Sequence, residues 1–185
     1  MPKKTVFLMG EKVILSPLDP KIDLPGYESW INNQDTTRYM AAGKYPLTQK
    51  GIREYIQHFK GSKDLLLGIF TKEKDQHIGN IALRTIDDRN RNADIGLMIG
   101  EPASRGRGLG SEALQLIVEH AFFSLNLHRV MAGIVEKNVA STRLFEKLGF
   151  KQEGKLREHF YTDGRYEDFL MYGLLRAEYP SQKRD

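Results

Sequence analysis

The sequence predicts an α/β (α+β) fold, in which helices cover both faces of a mixed, mostly antiparallel sheet of about seven strands. Three observations predict it. Short apolar segments separated by polar turns indicate antiparallel hairpins in the first half, and a strand–helix–strand crossover follows in the second. No repeat, low-complexity tract or linker divides the 185 residues. That length suits one domain with its own core, so we expect a single domain over residues 1–185.

The first half of the chain supplies a strand, two helices and a hairpin. Tyr27, Trp30 and Ile31 recur at helical spacing, and Thr48 is a candidate N-cap for a second helix. The polar segment 72–76 separates two apolar runs, which is typical of a hairpin. The predicted elements are a strand at 13–15, helices at about 24–33 and 48–61, and strands at 65–70, 77–85 and 93–100.

The second half alternates between helices and strands and begins with the clearest helix of the chain. Its apolar residues step by three and four from Ala113 to Leu125 and form one stripe. Asn138 is a candidate N-cap for a shorter helix, and Asp163-Gly164 is typical of a hairpin turn. The predicted elements are helices at 113–125 and 138–149 and strands at 129–135, from 150 onward and at 166–174.

Composition and charge argue against several classes of protein. Hydrophobic residues make up 40% and charged residues 28% of the chain, an ordinary globular balance. No apolar run approaches the roughly 20 residues that span a bilayer, so we expect no membrane association. The net charge of +4 comes from scattered residues, which argues against a nucleic-acid partner. The absence of cysteine excludes disulfides and suits a cytoplasmic location, and no residue set has metal-ligand spacing.

A glycine-rich segment from Arg105 to Ser111 lies between a predicted strand and the long helix. Its three glycines let the backbone turn sharply, and the N-terminus of the following helix offers unpaired N–H groups. Because Arg105 and Arg107 add positive charge, the segment predicts a diphosphate site. A Walker A loop would end in Gly-Lys-Ser/Thr, and a dinucleotide fingerprint would follow the first strand of a parallel unit, so neither fits. A glycine-rich loop with solvated arginines is the simpler alternative.

The same segment resembles a known motif. Arg105-x-x-Gly108-x-Gly110 is similar to the coenzyme A pyrophosphate loop of the GNAT superfamily of N-acetyltransferases. The segment Asn138–Phe150 resembles the second motif of that family, and Ala93–Ile99 resembles its splayed central strand. The resemblance extends over nearly the whole chain. It implies the GNAT fold, an acyltransferase activity and acetyl-CoA (coenzyme A) as the cofactor.

The resemblance also implies where the cofactor would bind. The backbone of residues 98–100 would pair with the pantetheine amides, and the N–H groups of residues 106–111 would bind the pyrophosphate. Asn138 would bond the cofactor arm near the sulfur and contribute to catalysis. The residues expected around the cofactor are Met98, Ile99, Gly100, Arg105, Gly106, Arg107, Gly108, Leu109, Gly110, Ser111, Asn138, Ser141 and Phe145.

For catalysis, the resemblance implies that a primary amine attacks the thioester directly, so a chain without cysteine needs no nucleophile of its own. Asp94 is the candidate base, directly or through water, although it could instead cap a strand end or pair with Arg91. Many family members have a tyrosine as general acid where this chain has Phe145, so the acid is open. Other groups considered for proton transfer are Tyr161, Tyr166 and Tyr172 as acids and His128 and His159 as bases.

The acceptor is not fixed by the sequence. The closest resemblance is to the branch that acetylates ribosomal-protein N-termini, which also includes polyamine and amino-sugar-nucleotide acetyltransferases; the segments Trp30–Asn33, Leu156–Phe160 and Asp163–Asp168 are typical of it. A flat acidic rim would favour polyamines, whereas a deep groove with aromatic stacking would favour a nucleotide-linked amino sugar. Trp30 also suits the apolar face of its helix. The residues expected to line the acceptor site are Trp30, Tyr39, Tyr45, His159 and Tyr161.

Three functions therefore compete. The first is an N-acetyltransferase that acts in a ternary complex on a protein N-terminal amine, a polyamine or an amino sugar. The second is a catalytically idle acyl-CoA-binding sensor or scaffold, which Phe145 supports. The third is a nucleic-acid-binding module, which the scattered charge disfavours. A homodimer is left open.

Overall fold

The computed structural model describes residues 5–21 and 24–180, and within them it shows a sheet of eight strands. Seven correspond to the predicted strands, and the eighth is a two-residue strand that precedes them. The strands are β1 (Leu8–Met9), β2 (Val13–Pro17), β3 (Leu65–Thr71), β4 (His77–Asp87), β5 (Asn92–Ile99), β6 (Arg129–Val135), β7 (Lys151–Thr162) and β8 (Arg165–Leu175).

The helices confirm the four predicted ones and add a single-turn helix. The Thr48 and Asn138 side chains accept hydrogen bonds from the N–H groups of Gly51 and Ser141, as N-caps do. The long helix continues as a π turn at 120–124. None of the helices within the described residues has the length and apolar character that crossing a bilayer requires. The helices are α1 (Pro25–Ile31), α2 (Gln34–Thr37), α3 (Gln49–His58), α4 (Leu109–Glu119) and α5 (Val139–Lys147).

The sheet is mixed and mostly antiparallel, as predicted. Its strand order is β1-β2-β3-β4-β5-β6-β8-β7, and the one parallel pair in this order is β5 with β6. That pairing extends only from Asn92 opposite Arg129 to Asp94 opposite Met131. Beyond it the two strands separate, since β5 stays paired with β4 and β6 stays paired with β8. The sheet therefore opens between the C-terminal halves of β5 and β6.

Helices cover both faces of the sheet, and each face has its own apolar cluster. The side chains of a strand alternate between the faces, so neighbouring residues of β3 and β4 enter different clusters. The helix α4 packs on one face, and α1 and α3 pack on the other. The cluster beneath α4 includes Leu67, Ile81, Ile95, Leu114 and Ile117, and the cluster beneath α1 and α3 includes Trp30, Ile52, Leu66, Ala82 and Met98.

Candidate cofactor and acceptor site

The glycine-rich loop presents backbone N–H groups to solvent. Gly106 and Gly108 have φ angles of +72° and +79°, in the left-handed region that favours glycine. A Cβ at either position would meet nothing within 4 Å, so the space beside the loop is open. Gly108 is the N-cap of α4 and gives it no side-chain cap, which leaves the first-turn amides of that helix without side-chain acceptors. Such a helix end binds anions.

The two arginines of the loop have different surroundings. The Arg105 guanidinium is held against the protein, because it donates to Ile99 O at 3.0 Å and to Thr36 Oγ1 at 3.0 Å. Arg107 is exposed. Both arginines therefore contribute positive charge at this loop, since the acceptors of Arg105 are neutral oxygens, and Arg105 in addition ties the loop to the end of β5.

The open edge of β5 presents the backbone of alternate residues. Gly100 N donates to Ile78 O at 2.9 Å, and Met98 lies opposite Asn80, so the backbone groups of Met98 and Gly100 face β4. The backbone groups of Leu97 and the N–H of Ile99 consequently face the opening, while the Ile99 carbonyl oxygen accepts from Arg105. Of the three residues expected to pair with the pantetheine arm, only Ile99 is turned toward the opening. Leu97, which was not predicted, takes the other position.

A cavity of about 520 Å³ extends from this opening beneath α1 and α3. The second halves of β5 and β6 line it, and so does the first turn of α5. It also reaches the residues after α2, and we call residues 38–47 the roof loop because five of them line the cavity. The cavity therefore joins the predicted cofactor region to the predicted acceptor region.

At the α5 side, Asn138, Ser141 and Phe145 all line the cavity, as predicted for residues near the cofactor arm. The Asn138 Oδ1 accepts the Ser141 N–H at 3.2 Å, so the cap occupies this oxygen and leaves the Nδ2 donor for another group. Phe145 is buried against the Phe150 ring. A phenyl ring cannot donate a proton, so this position contributes packing alone.

The tyrosines considered as acids in place of Phe145 do not line the cavity. The Tyr172 hydroxyl is buried and donates to Glu146 Oε1 at 2.9 Å. Burial and the adjacent Glu146 carboxylate raise the pKa of Tyr172 above its ordinary value. Tyr161 and Tyr166 pack on each other at the exposed end of the β7–β8 hairpin. None of the three is placed to protonate a leaving group in the cavity.

Asp94, the predicted base, forms an ion pair with Arg84 across the β4–β5 hairpin. Arg84 donates to Asp94 Oδ2 from Nη2 at 2.5 Å and from Nε at 3.1 Å. The sequence offered an ion pair of Asp94 with Arg91 as the alternative to a base. Asp94 does form an ion pair, but its partner is Arg84. Arg84 lines the cavity, whereas Asp94 does not. A Cβ at Gly96 would come within 3.2 Å of Arg84 Cζ, so the guanidinium lies across that glycine.

The acceptor half of the cavity has aromatic residues on two sides. Burial raises the pKa of Tyr27 well above its ordinary value, so this phenol stays protonated. On the other side, His159 packs at 5.3 Å from the Phe169 ring. The aromatic residues that line this half are Tyr27, Tyr39, Tyr55, His159, Phe160 and Phe169.

Three predicted acceptor residues, Trp30, Tyr45 and Tyr161, lie outside the cavity lining. Trp30 is 6% exposed and packs against His77, and a Cβ at Gly100 would collide with its ring, so it belongs to the core. Tyr161 is 55% exposed and packs on Tyr166 outside the cavity lining. Tyr45 is also outside the lining, at 84% exposure. Tyr39 and His159 are the predicted residues that do line the cavity.

A bulge in β7 explains why His159 reaches the cavity and Tyr161 does not. The pairing with β8 shifts between Leu156 and Phe160, and Glu158 takes a φ of +49°. The Glu158 N–H donates to Asp168 Oδ1 at 2.8 Å, which holds the bulge in place. Because the extra residues break the alternation of the strand, His159 and its neighbour Phe160 both line the cavity.

The roof loop is fastened to the β7–β8 hairpin. Thr162 Oγ1 donates to the Arg38 carbonyl oxygen at 2.9 Å, and Arg38 Nε lies 3.1 Å from Asp163 Oδ2. Lys44 Nζ sits 5.5 Å from the centre of the Phe160 ring. Within the described residues, no group of three His, Cys, Asp or Glu side chains is arranged to hold a metal ion.

Two polar side chains that the sequence did not predict for the site come from β4. Arg84 and Asn80 lie on β4 with their side chains toward α1 and α3, as Ala82 does. Asn80 Oδ1 lies 2.9 Å from His77 Nε2, whereas the buried Nδ2 has no hydrogen-bond partner in the described part of the chain. The alternation of β4 could have indicated a shared face for residues 80, 82 and 84 but not that this face borders a cavity.

Comparison with known proteins relates the chain to acetyltransferases. The family described as acetyltransferase (GNAT) domain matches residues 12–151. The probable N-acetyltransferase YjcK of Bacillus subtilis (strain 168) is 34% identical over 131 residues, which cover 70% of this chain and 72% of that protein.

Two solved structures share the fold. The spermidine N-acetyltransferase from Vibrio cholerae, in complex with CoA and spermine, superposes with a TM-score of 0.82 at 23% identity and covers 92% of this chain and 99% of its own. RimL, a ribosomal alpha-N-protein acetyltransferase in complex with coenzyme A, gives 0.82 at 19% identity, with 92% and 98% covered. At these identities the likeness concerns the fold.

Proposed function

The chain belongs to the GNAT family of acetyltransferases, and from that premise we propose that it transfers the acetyl group of acetyl-CoA to a primary amine in a ternary complex. The candidate acceptors are a protein N-terminal amine, a polyamine and an amino sugar. RimL and the Vibrio cholerae enzyme act on the first two.

One observation supports the proposal above the others: an uncapped helix N-terminus lies next to an open strand edge. The amides of residues 106–111 suit a diphosphate. Arg105 connects this loop to the end of β5, where the N–H of Ile99 and the backbone of Leu97 face the opening. A cofactor that has a diphosphate at one end and amides along its arm matches both features.

When bound, acetyl-CoA would supply a thioester whose carbonyl carbon the amine attacks, so that a C–N bond forms, the C–S bond breaks and coenzyme A leaves as the thiolate. The protein would hold the two reactants together, and a backbone N–H of the open β5 edge would donate to the carbonyl oxygen. Asn138 Nδ2 would donate to the cofactor arm near the sulfur. With no acidic side chain at Phe145, the thiolate would take its proton from water.

The proton of the attacking amine needs an acceptor. We propose His159, because it lines the acceptor half of the cavity directly. Asp94 is the alternative base, acting through water, since its Oδ1 is not used in the pair with Arg84. In our main proposal, Asp94 instead positions the Arg84 guanidinium.

An idle acyl-CoA sensor is the second candidate, and the observation that favours it is the buried Phe145 at the position of the usual acid. Two measurements separate the candidates. Calorimetry with acetyl-CoA measures binding, and a thiol assay for free coenzyme A measures turnover with a panel of amines. We expect both heat and thiol release. Heat without release for every amine would favour the sensor, and the absence of heat would refute both.

The proposal also includes a cytoplasmic location, in keeping with a chain that has no cysteine. Assembly as a homodimer stays a prediction. Light scattering of the purified protein over a range of concentrations measures it, and a constant monomer mass would contradict it.

A further inference from the structure

The charges around the cavity point to the chemistry of the acceptor. Among the described residues that line the cavity, none is Asp or Glu, and Arg84 is the one Lys or Arg. A polyamine has several ammonium groups besides the one that reacts. Taking such groups out of water is costly unless carboxylates pair with them. The lining therefore disfavours a polyamine.

The shape and composition of the acceptor half favour an apolar body. Tyr39 and Tyr55 lie on one side, while Phe160 and Phe169 lie on the other with their rings 6.2 Å apart and nearly parallel. Aromatic side chains of this kind contact apolar or flat groups over a large area. An amine attached to an apolar or aromatic body would bury that body between the two sides.

Arg84 adds one directed polar group to this apolar space. Its Nε and Nη2 both donate to Asp94, which fixes the guanidinium, whereas Nη1 has no partner among the described residues. Its charge also acts on Tyr55, which lines the cavity. Burial raises the pKa of Tyr55, and the positive charge of Arg84 opposes that rise. A fixed guanidinium N–H recognises a carboxylate or carbonyl oxygen.

We propose that the acceptor is a primary amine on an apolar or aromatic body that bears a carboxylate or carbonyl oxygen beside the amino group, and that Arg84 binds this oxygen. This rests on the proposed function and narrows its acceptor. The chemistry is shared by a free apolar amino acid and by the apolar first residue of a peptide.

The direct test is a comparison of kcat/KM for five amines. Phenylalanine and phenylalaninamide keep the oxygen, phenylalanyl-alanine presents it in a peptide, phenethylamine lacks it, and spermidine has additional ammonium groups. We expect phenethylamine to be about tenfold poorer than phenylalaninamide, the size of a lost charged hydrogen bond, and spermidine to be poorer still. The ratio of kcat/KM for phenylalanine to that for the dipeptide shows whether the acceptor is a free amino acid or the first residue of a peptide.

A second test uses Arg84→Met, with Arg165→Met as the control because Arg165 also pairs with a carboxylate but lies outside the cavity. We expect Arg84→Met to raise the KM of phenylalaninamide about tenfold and to leave phenethylamine unchanged. Arg165→Met should change neither. A purely structural role of Arg84 would instead weaken both substrates equally.

The outcomes separate this inference from the proposed function. A preference for spermidine, or equal rates for phenethylamine and phenylalaninamide, would overturn the inference while acetyl transfer itself stands. No thiol release with any of the five amines would overturn the inference, and no release across the wider panel of amines, amino sugars included, would overturn both. If Arg84→Met does not fold, the comparison of the five amines with the unaltered protein still decides.

Discussion

The two halves of the cavity are built in different ways. The cofactor half uses mainly backbone groups from one continuous stretch, the end of β5 and the loop into α4, and adds the N-cap of α5. The acceptor half uses side chains from α1, the roof loop, α3, β4, β7 and β8, which are far apart in the sequence. Backbone geometry depends on a few glycines, whereas the acceptor half depends on long-range packing. Substitutions should therefore affect the two halves separately.

The largest expected effect is that of Gly108→Asp, which sets a carboxylate against the bound diphosphate. Like charges at such a contact cost several kcal/mol, so acetyl-CoA affinity should fall by at least about a hundredfold. Calorimetry measures it. Gly61→Asp is the matched control. The φ of Gly61 is +81° and that of Gly108 is +79°, and a Cβ at either glycine meets nothing within 4 Å. Equal acetyl-CoA affinity in both variants would show that the loop at Gly108 does not bind the diphosphate.

His159→Gln should lower kcat about a hundredfold, the low end for loss of a general base, without changing the affinity for acetyl-CoA. His128→Gln is the control, since His128 is exposed and outside the cavity. Asp94→Asn should act mainly on the acceptor KM, because Asp94 orients Arg84. If Asp94→Asn lowers kcat by that factor and His159→Gln does not, the base is Asp94.

Gly133→Ala tests whether the acceptor half can be altered alone. A Cβ at Gly133 would lie 2.2 Å from Phe169 Cε1, so the ring must move. We expect an acceptor KM about tenfold higher, from the cost of overpacking, with acetyl-CoA affinity unchanged. Gly154→Ala is the control, because the nearest atom to its Cβ is 3.8 Å away. A parallel loss of acetyl-CoA affinity would show that the halves are coupled.

The smallest effect is expected for Asn138→Ser, which keeps the N-cap but removes the Nδ2 donor. Stability should be retained, and the dissociation constant of acetyl-CoA should rise about threefold to tenfold, as for one net hydrogen bond. Asn138→Ala removes both functions and should also cost about 1 kcal/mol of unfolding free energy. Thermal unfolding and calorimetry give the two quantities. An unchanged dissociation constant in both variants would limit Asn138 to capping.

The same contrast explains what the sequence could predict. The loop and the α5 cap are local, since Gly108 precedes its helix directly and Asn138 accepts from Ser141 three residues later. Helical spacing and turn residues identify such features without any knowledge of distant segments. The sequence therefore predicted the loop and the cap, but not the register with β4, which turns the backbone of Leu97 toward the opening and that of Met98 and Gly100 toward β4.

The acceptor half depends on information that the local sequence lacks. Regular alternation puts residues 159 and 161 of a strand on one face, and the bulge at Glu158 breaks that rule, so Tyr161 was wrongly expected in the cavity. Arg91 is close to Asp94 in sequence, but the hairpin register sets Arg84 opposite it. Helical spacing also places Tyr27 and Trp30 on one face without telling which ring borders a cavity.

The roof loop has a consequence for how such enzymes diverge. It contributes five lining residues yet is irregular in structure, and its ties to the β7–β8 hairpin at Arg38 and Lys44 involve few groups. Loops accept insertions and replacements that strands do not. Descendants of one ancestral gene could thus acquire new amine preferences by exchanging this short stretch, with the nucleotide-binding machinery inherited intact.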